Sequence, residues 1–262
     1  LGPTHPDTMN TLSNLSTFLS RRGAFEEAEA SAREALDRRL QVYGPNHPKT
    51  LVSFNVMGFV YRKQGKNAEA EPYLRQALEA SAVVLGVDHP DRIIYLINMG
   101  TLLSNLDRTV EAEEHFREAI ERSERTLGPE HYLAVAARST LGDHLLSQER
   151  YVDAIDVLEP AVPAARVTYA TANEASLAVI LYRLGRARRG AGRFEGAETA
   201  LLEAHESLER LRGPEYSDTR DCVQALAELY DAWGESIGDD ELRRRADTWR
   251  SRLETTPAGS DP

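Results

Sequence analysis

Leu1-Gly-Pro-Thr-His-Pro-Asp-Thr8 returns as Tyr43-Gly-Pro-Asn-His-Pro-Lys-Thr50, then as Leu85-Gly-Val-Asp-His-Pro-Asp-Arg92, then as Leu127-Gly-Pro-Glu-His131. The copies start 42 residues apart. A fixed period in this size range means one supersecondary unit stacked against copies of itself. Such an array grows lengthwise, so an elongated scaffold is expected and a buried catalytic pocket is not. The chain also opens inside its own repeat, which leads us to expect further repeats or another domain upstream.

Each period reads as two helices. Leu12, Leu15, Ser16 and Leu19 lie at the spacing of one helix face, and Gly23 preceded by Arg21 and Arg22 is a stop signal. A second helix runs from Glu26 to about Leu40 with Ala28, Ala32 and Ala35 on one side, until Gly44-Pro45 ends it. Pro48 restarts the next helix at a position where a missing N–H costs nothing. Six repeats follow, at about 7–42, 49–84, 91–126, 133–168, 176–211 and 218–253, the last degenerate. The array occupies 1–233, an acidic insert (Glu235–Glu241) and a capping helix fill 234–254, and 255–262 is expected to be a disordered tail. In the fourth repeat Pro160 and Pro163 fall within the second helix, and the next joint, Tyr169-Ala-Thr-Ala-Asn-Glu-Ala-Ser176, lacks Gly-Pro and His-Pro. A kinked or shortened helix is expected there. Whether it is a tolerated irregularity or a hinge stays open.

Aligned repeats carry small residues at fixed places. The first helices have Ser16, Gly58, Gly100, Gly142, Gly185 and Ala227; the second have Ala28, Ala70, Ala112, Ala154 and Ala197, then Ala35, Ala77, Ala119, Ala161 and Ala204. Each helical glycine costs roughly 1 kcal/mol of propensity, so close packing must offset it. This pattern, with Tyr61 and Phe116 at its aromatic positions, resembles the tetratricopeptide repeat (TPR). The 42-residue period and the Gly-Pro-x-His-Pro joint resemble its kinesin-light-chain type, found as appended domains in bacterial signalling proteins. The resemblance covers about residues 1–233. It implies an all-α, right-handed solenoid of antiparallel helix pairs that binds protein partners on a concave face lined by the first helices.

Composition narrows the partners. The net charge is −11, with 41% hydrophobic and 28% charged residues. General binding to nucleic acid or an anionic membrane needs clustered basic charge, so neither is expected. Cys222 is the sole cysteine, and no apolar run reaches membrane-spanning length; both fit a cytoplasmic protein. No P-loop, dinucleotide, zinc-protease or nucleophile-elbow motif occurs, so neither enzyme activity nor a cofactor is expected. His5, His47, His89 and His131 recur one repeat apart, too far for a shared ion, and are expected to bond the neighbouring helix end.

Carried onto this sequence, the family's concave positions include Asn14 and Arg21 in repeat one, and Asn55, Phe59, Arg62 and Lys63 in repeat two. Repeat three adds Asn98 and Asn105, and repeat five adds Arg183, Arg186 and Arg189. Acidic residues on the same positions are Asp143 and, in the last repeat, Asp221, Glu228 and Asp231. A basic groove from repeat one to repeat five is therefore expected within an acidic chain. The asparagines would clamp an extended backbone, over an apolar floor of Val56, Phe59, Ile94 and Ile97. The expected partner is an acidic peptide or protein segment. The competing expectation is a regulatory or sensor module of a larger signalling protein (a serine/threonine kinase or a nucleotide-switch ATPase), acting by self-association or by contact with an upstream domain.

Overall fold

The computed structural model describes residues 2–170 and 173–255, and the described residues form thirteen helices and no strand. They divide into two compact units, Leu1–Gly128 and Pro129–Pro262. The N-terminal unit holds α1 (Pro6–Arg21), α2 (Phe25–Tyr43), α3 (Pro48–Lys63), α4 (Asn67–Val84), α5 (Pro90–Asn105) and α6 (Thr109–Leu127). The C-terminal unit holds α7 (Tyr132–Ser147), α8 (Tyr151–Leu158), α9 (Ala161–Thr168), α10 (Glu174–Gly190), α11 (Phe194–Arg212), α12 (Ser217–Ile237) and α13 (Asp240–Thr255). In the N-terminal unit each odd-numbered helix packs on the even-numbered helix after it, and α2 and α4 then pack on the next pair. α1 lies beside α3, and α3 beside α5.

The joint histidines start helices. In His5, His47, His89 and His131 the ring Nδ1 accepts the backbone N–H of the residue two further on, at 3.2, 3.2, 3.1 and 3.2 Å. Each thereby satisfies one of the donors a helix start leaves unpaired. The repeating His-Pro is therefore a side-chain cap followed by a proline whose lost N–H was already surplus. Replacing His89 by Ala should cost about 1 kcal/mol in chemical denaturation, and replacing it by Asn should recover most of that. An unchanged midpoint for the alanine variant would deny the cap any weight.

The small residues mark where helices touch. Ala28, Ala70, Ala112, Ala154 and Ala197 are all fully buried. A Cβ added at Gly58 would lie 2.4 Å from Leu74 Cγ, at Gly100 2.7 Å from the Phe116 ring, at Gly142 2.4 Å from Leu158 and at Gly185 2.5 Å from Leu201. In each case the second helix of the repeat plants a large apolar side chain directly on the glycine of the first.

Ion pairs tie neighbouring repeats on the outside. Arg108, at the start of α6, bonds Glu71 of α4 at 2.8 Å and Glu111 at 2.6 Å. The Arg108 guanidinium, with Arg75 adding to it, holds the Glu71 carboxyl below the usual carboxylate range. A carboxyl whose folded pKa is lowered stabilises the fold above its unfolded pKa of about 4.3, and that contribution fades as pH falls through the lower folded value. The Arg108→Ala variant should therefore lose less stability than the parent between about pH 4.5 and pH 3. Parallel pH–denaturation slopes for the two proteins would count against the pair.

Two departures from regularity stand out. The second helix of the fourth repeat is split into α8 and α9 by a turn at Glu159–Pro160. Pro160 and Pro163 remove two N–H donors within one turn, which a helix interior does not tolerate. At the other end, the residues of the acidic insert expected at Glu235–Glu241 are helical apart from Gly238 and Asp239. α12 runs on through Glu235, Ser236 and Ile237, and only Gly238 and Asp239 separate it from α13. Gly238 takes the left-handed conformation that ends α12, and the Asp239 carboxylate accepts the Glu241 N–H at 2.8 Å to start α13. Trp249 of α13 packs on the cluster formed by Leu201, Leu226, Leu229 and Tyr230. The tail expected over 255–262 lies outside the described residues from 256 onward, and Thr255 closes α13.

Candidate functional site

In the N-terminal unit α3 lies beside both α1 and α5, and polar side chains of α3 and α5 meet. Asn98 Nδ2 of α5 donates to Asn55 Oδ1 of α3 at 2.8 Å. The two asparagines, expected as separate clamps, form a bridged pair between adjacent repeats. The bond does not use the Asn55 amide hydrogens or the Asn98 side-chain carbonyl. Val56, Ile94 and Ile97 are half-buried around the pair.

One turn beyond Asn55, Phe59 is overlain by two cations. Arg62 Cζ stands 5.5 Å and Lys63 Nζ 5.9 Å from the ring centroid. The Arg62 Nε is buried without a hydrogen-bond partner, and burial pushes the guanidinium pKa down. Lys63 is pushed down by burial and then by the charges of Arg62 and Arg21. Among the described residues no carboxylate reaches Arg21, Arg62 or Lys63 within ion-pair distance. Three like charges converge there with nothing to balance them. Asn14 and Asn105 are exposed on α1 and at the end of α5.

A further basic group went unrecognised in the sequence. Arg39 of α2 is 2% exposed, with Nη1 on Ser53 Oγ at 2.7 Å, Nη2 on Asn10 Oδ1 at 2.7 Å and Nε unpartnered. The signal was the break in alignment, because the corresponding residues of the next repeats are Ser81, Ser123 and Ala165.

The C-terminal unit does not extend this character. Arg183 donates to the Ser139 hydroxyl at 2.7 Å and to Asp143 at 3.0 Å, and Arg189 is paired with Glu228. Burial pulls the Glu228 carboxyl up, but hydrogen bonds from Gln224 and Arg189 outweigh it and hold the group ionised. Arg186 lies over the Tyr182 ring at 5.4 Å. The basic face expected of repeat five is thus largely neutralised by Asp143 and Glu228 of the flanking repeats. Arg183 and Val179 line two cavities, of about 220 and 140 Å³. Cys222 is buried, and burial raises its thiol to about 12, which favours the protonated form at neutral pH. No group of three or more His, Cys, Asp or Glu among the described residues is placed to hold a metal ion. No described helix is long and apolar enough to cross a membrane.

The tetratricopeptide repeat model matches residues 7–82, 53–121 and 91–166, and the chain belongs to that family. This repeat fold serves generally as a non-catalytic scaffold for protein–protein interaction. No curated protein sequence matches. Among solved structures, BtubC (BKLC) from P. vanneervenii is similar at TM-score 0.68 and 21% identity, over 79% of this chain and 82% of that one. A Podosopora anserina structure described by its nearly identical kinesin-light-chain TPR-like repeats gives TM-score 0.63 and 20% identity, over 79% and 98%. PilW, a type IV pilus biogenesis factor, gives 0.67 and 18%, over 96% and 94%.

Proposed function

We propose that the surface of α1, α3 and α5 binds an extended, acidic segment of a partner protein without catalysing any reaction on it. The observation that carries this reading is Arg62: a guanidinium largely withdrawn from water, stacked on Phe59, beside two further cations and without a carboxylate. An uncompensated buried charge is costly, and an incoming carboxylate offsets that cost. The Asn55–Asn98 pair offers one donor face and one acceptor, which is what a peptide group of an extended chain requires. Val56, Ile94 and Ile97 then receive an apolar side chain next to the acidic residue.

Fluorescence anisotropy with labelled peptides tests this directly. A peptide with acidic residues around a single large apolar side chain should bind, and its affinity should fall as salt rises from 50 to roughly 500 mM, where screening shortens to a few ångströms. Its counterpart with lysine for each acid should not bind. Equal affinity for both peptides would end the proposal.

A further inference from the structure

α1 carries in the open a face that the next two repeats bury. On α3 this face is marked by its bonds to the preceding repeat. Arg39 of α2 donates to Ser53 at 2.7 Å, Arg33 of α2 to the Tyr61 hydroxyl at 2.6 Å, and Gln64 to Glu29 of α2 at 3.2 Å. Met57 and Val60 lie on the same side of α3 and are fully buried. One period later Tyr95, Met99 and Leu102 of α5 are again buried, with α4 packed on that helix. One period earlier the corresponding residues are Thr11, Leu15, Phe18 and Arg22 of α1. Here Leu15 is 43% and Phe18 54% exposed. Covering such a face is favoured by the hydrophobic effect.

Its charges define the cover. Asp7, Thr11, Leu15, Phe18 and Arg22 follow one another at steps of four, four, three and four, so they form one stripe along α1. An acid stands at one end, a base at the other, and the apolar groups between them. Turned end over end, this stripe is its own complement. A two-fold axis between Asn14 and Leu15 sets Asp7 against Arg22 of a second copy, and Thr11 against Phe18. Asp7 lies 3.7 Å from the His5 ring with its side chain 70% exposed, and Arg22 lies over the Phe18 ring at 5.6 Å. Both charges therefore border the apolar groups at the surface. The Thr11 hydroxyl already donates to the Asp7 carbonyl at 2.8 Å, so burying it leaves no unmet donor. The last helix offers no match. α13 turns Leu242 and Ala246 inward and exposes Arg243, Arg244, Arg245, Asp247 and Arg250. Pairing of like with like through α1 is also closed, whereas head-to-tail stacking would run on into a filament.

We propose that two copies of this chain pair antiparallel through α1, burying Leu15 and Phe18 at the contact with an Asp7–Arg22 ion pair at each end. The pairing is independent of the acidic-peptide reading, whose central charge, Arg62, belongs to α3. One 16-residue helix against its twin covers less than a standard interface, so a reversible dimer with a Kd of about 10–100 µM is expected.

Sedimentation equilibrium of the 262-residue chain over roughly 1–500 µM reads the dimer. Phe18→Glu should stay folded, because that side chain is already exposed, and should stay monomeric throughout. Asp7→Arg and Arg22→Glu should each weaken the dimer by at least roughly tenfold, since each sets like charges face to face at both ends. Mixed one to one, these two variants should associate with each other to within about threefold of the parent, because every charge then meets its opposite. A parent chain that stays monomeric, a Phe18→Glu variant that still dimerises, or a mixture that recovers nothing would overturn the pairing. So would a monomer that binds a synthetic peptide of the α2 sequence, which would give the face to the second helix of another repeat.

Discussion

Replacing Gly58 by Val is expected to destabilise the protein by about 1–2.5 kcal/mol, although valine has the better helix propensity. The gain from removing a helical glycine is a few tenths of a kcal/mol for a β-branched residue, while overpacking a filled contact costs about 1–3 kcal/mol. At Gly58 the added Cβ alone would sit 2.4 Å from Leu74 Cγ and 2.6 Å from Cδ2, with the Ala70 carbonyl oxygen behind it at 3.3 Å. Leu74 is fully buried and cannot swing into solvent, so the two helices of the repeat must separate. Leu74→Ala should by itself cost roughly 2–5 kcal/mol through the cavity it leaves. In the Gly58→Val background that cost should shrink, because the valine occupies part of the space. Urea denaturation of the four proteins gives the coupling. Strictly additive losses would mean that residues 58 and 74 do not compete for the same space.

Reversing Arg62 to Glu should abolish binding of acidic peptides, with a loss of at least about thirtyfold, equivalent to ~2 kcal/mol. The effect should exceed that of Lys63→Glu, even though both charges lie over Phe59. Lys63 is exposed and screened, whereas Arg62 is withdrawn into the surface and its Nε is sealed from solvent. Desolvated charges interact more strongly, and their removal acts on dissociation rather than on encounter. The Arg62→Glu defect should therefore persist at salt concentrations that erase the Lys63→Glu defect. Two curves that converge as salt rises would show Arg62 to be only another rim charge. Folding can be monitored separately, since removing an unpaired cation from among like charges should leave the melting temperature level or higher.

The architecture was legible because each repeat states it again. Gly58, Gly100, Gly142 and Gly185 could only be explained by close approach, and Pro160 with Pro163 foretold the split between α8 and α9. The charge of the groove was less legible. Position in the repeat gives Arg183 and Arg189 the same kind of place on their own first helix that Arg62 has on its own, and that much follows from helical periodicity. Whether such a charge is free depends on the neighbouring repeat, about 40 residues away. Asp143 answers Arg183 and Glu228 answers Arg189, but among the described residues no acid pairs with Arg62 or Lys63. The face must be read as a two-dimensional lattice across adjacent first helices before its net charge means anything. Arg39 was missed for a different reason: helical spacing places it in the second helix but cannot tell that its guanidinium turns inward to Asn10 and Ser53. Composition marked 235–241 only as an acidic insert, and the helix boundary within it is carried by Gly238 and Asp239 alone.

The hydrogen bond between Asn55 and Asn98 gives the peptide surface a mechanical property. One amide rides on repeat two and the other on repeat three, so their separation reports the twist between two hairpins. A ligand that bridges both amides grips them at a single pitch, and a load that overwinds or flattens the stack must loosen that grip. Under the proposed function, affinity at this pair should therefore depend on the twist between repeats two and three as well as on the chemistry of their surface.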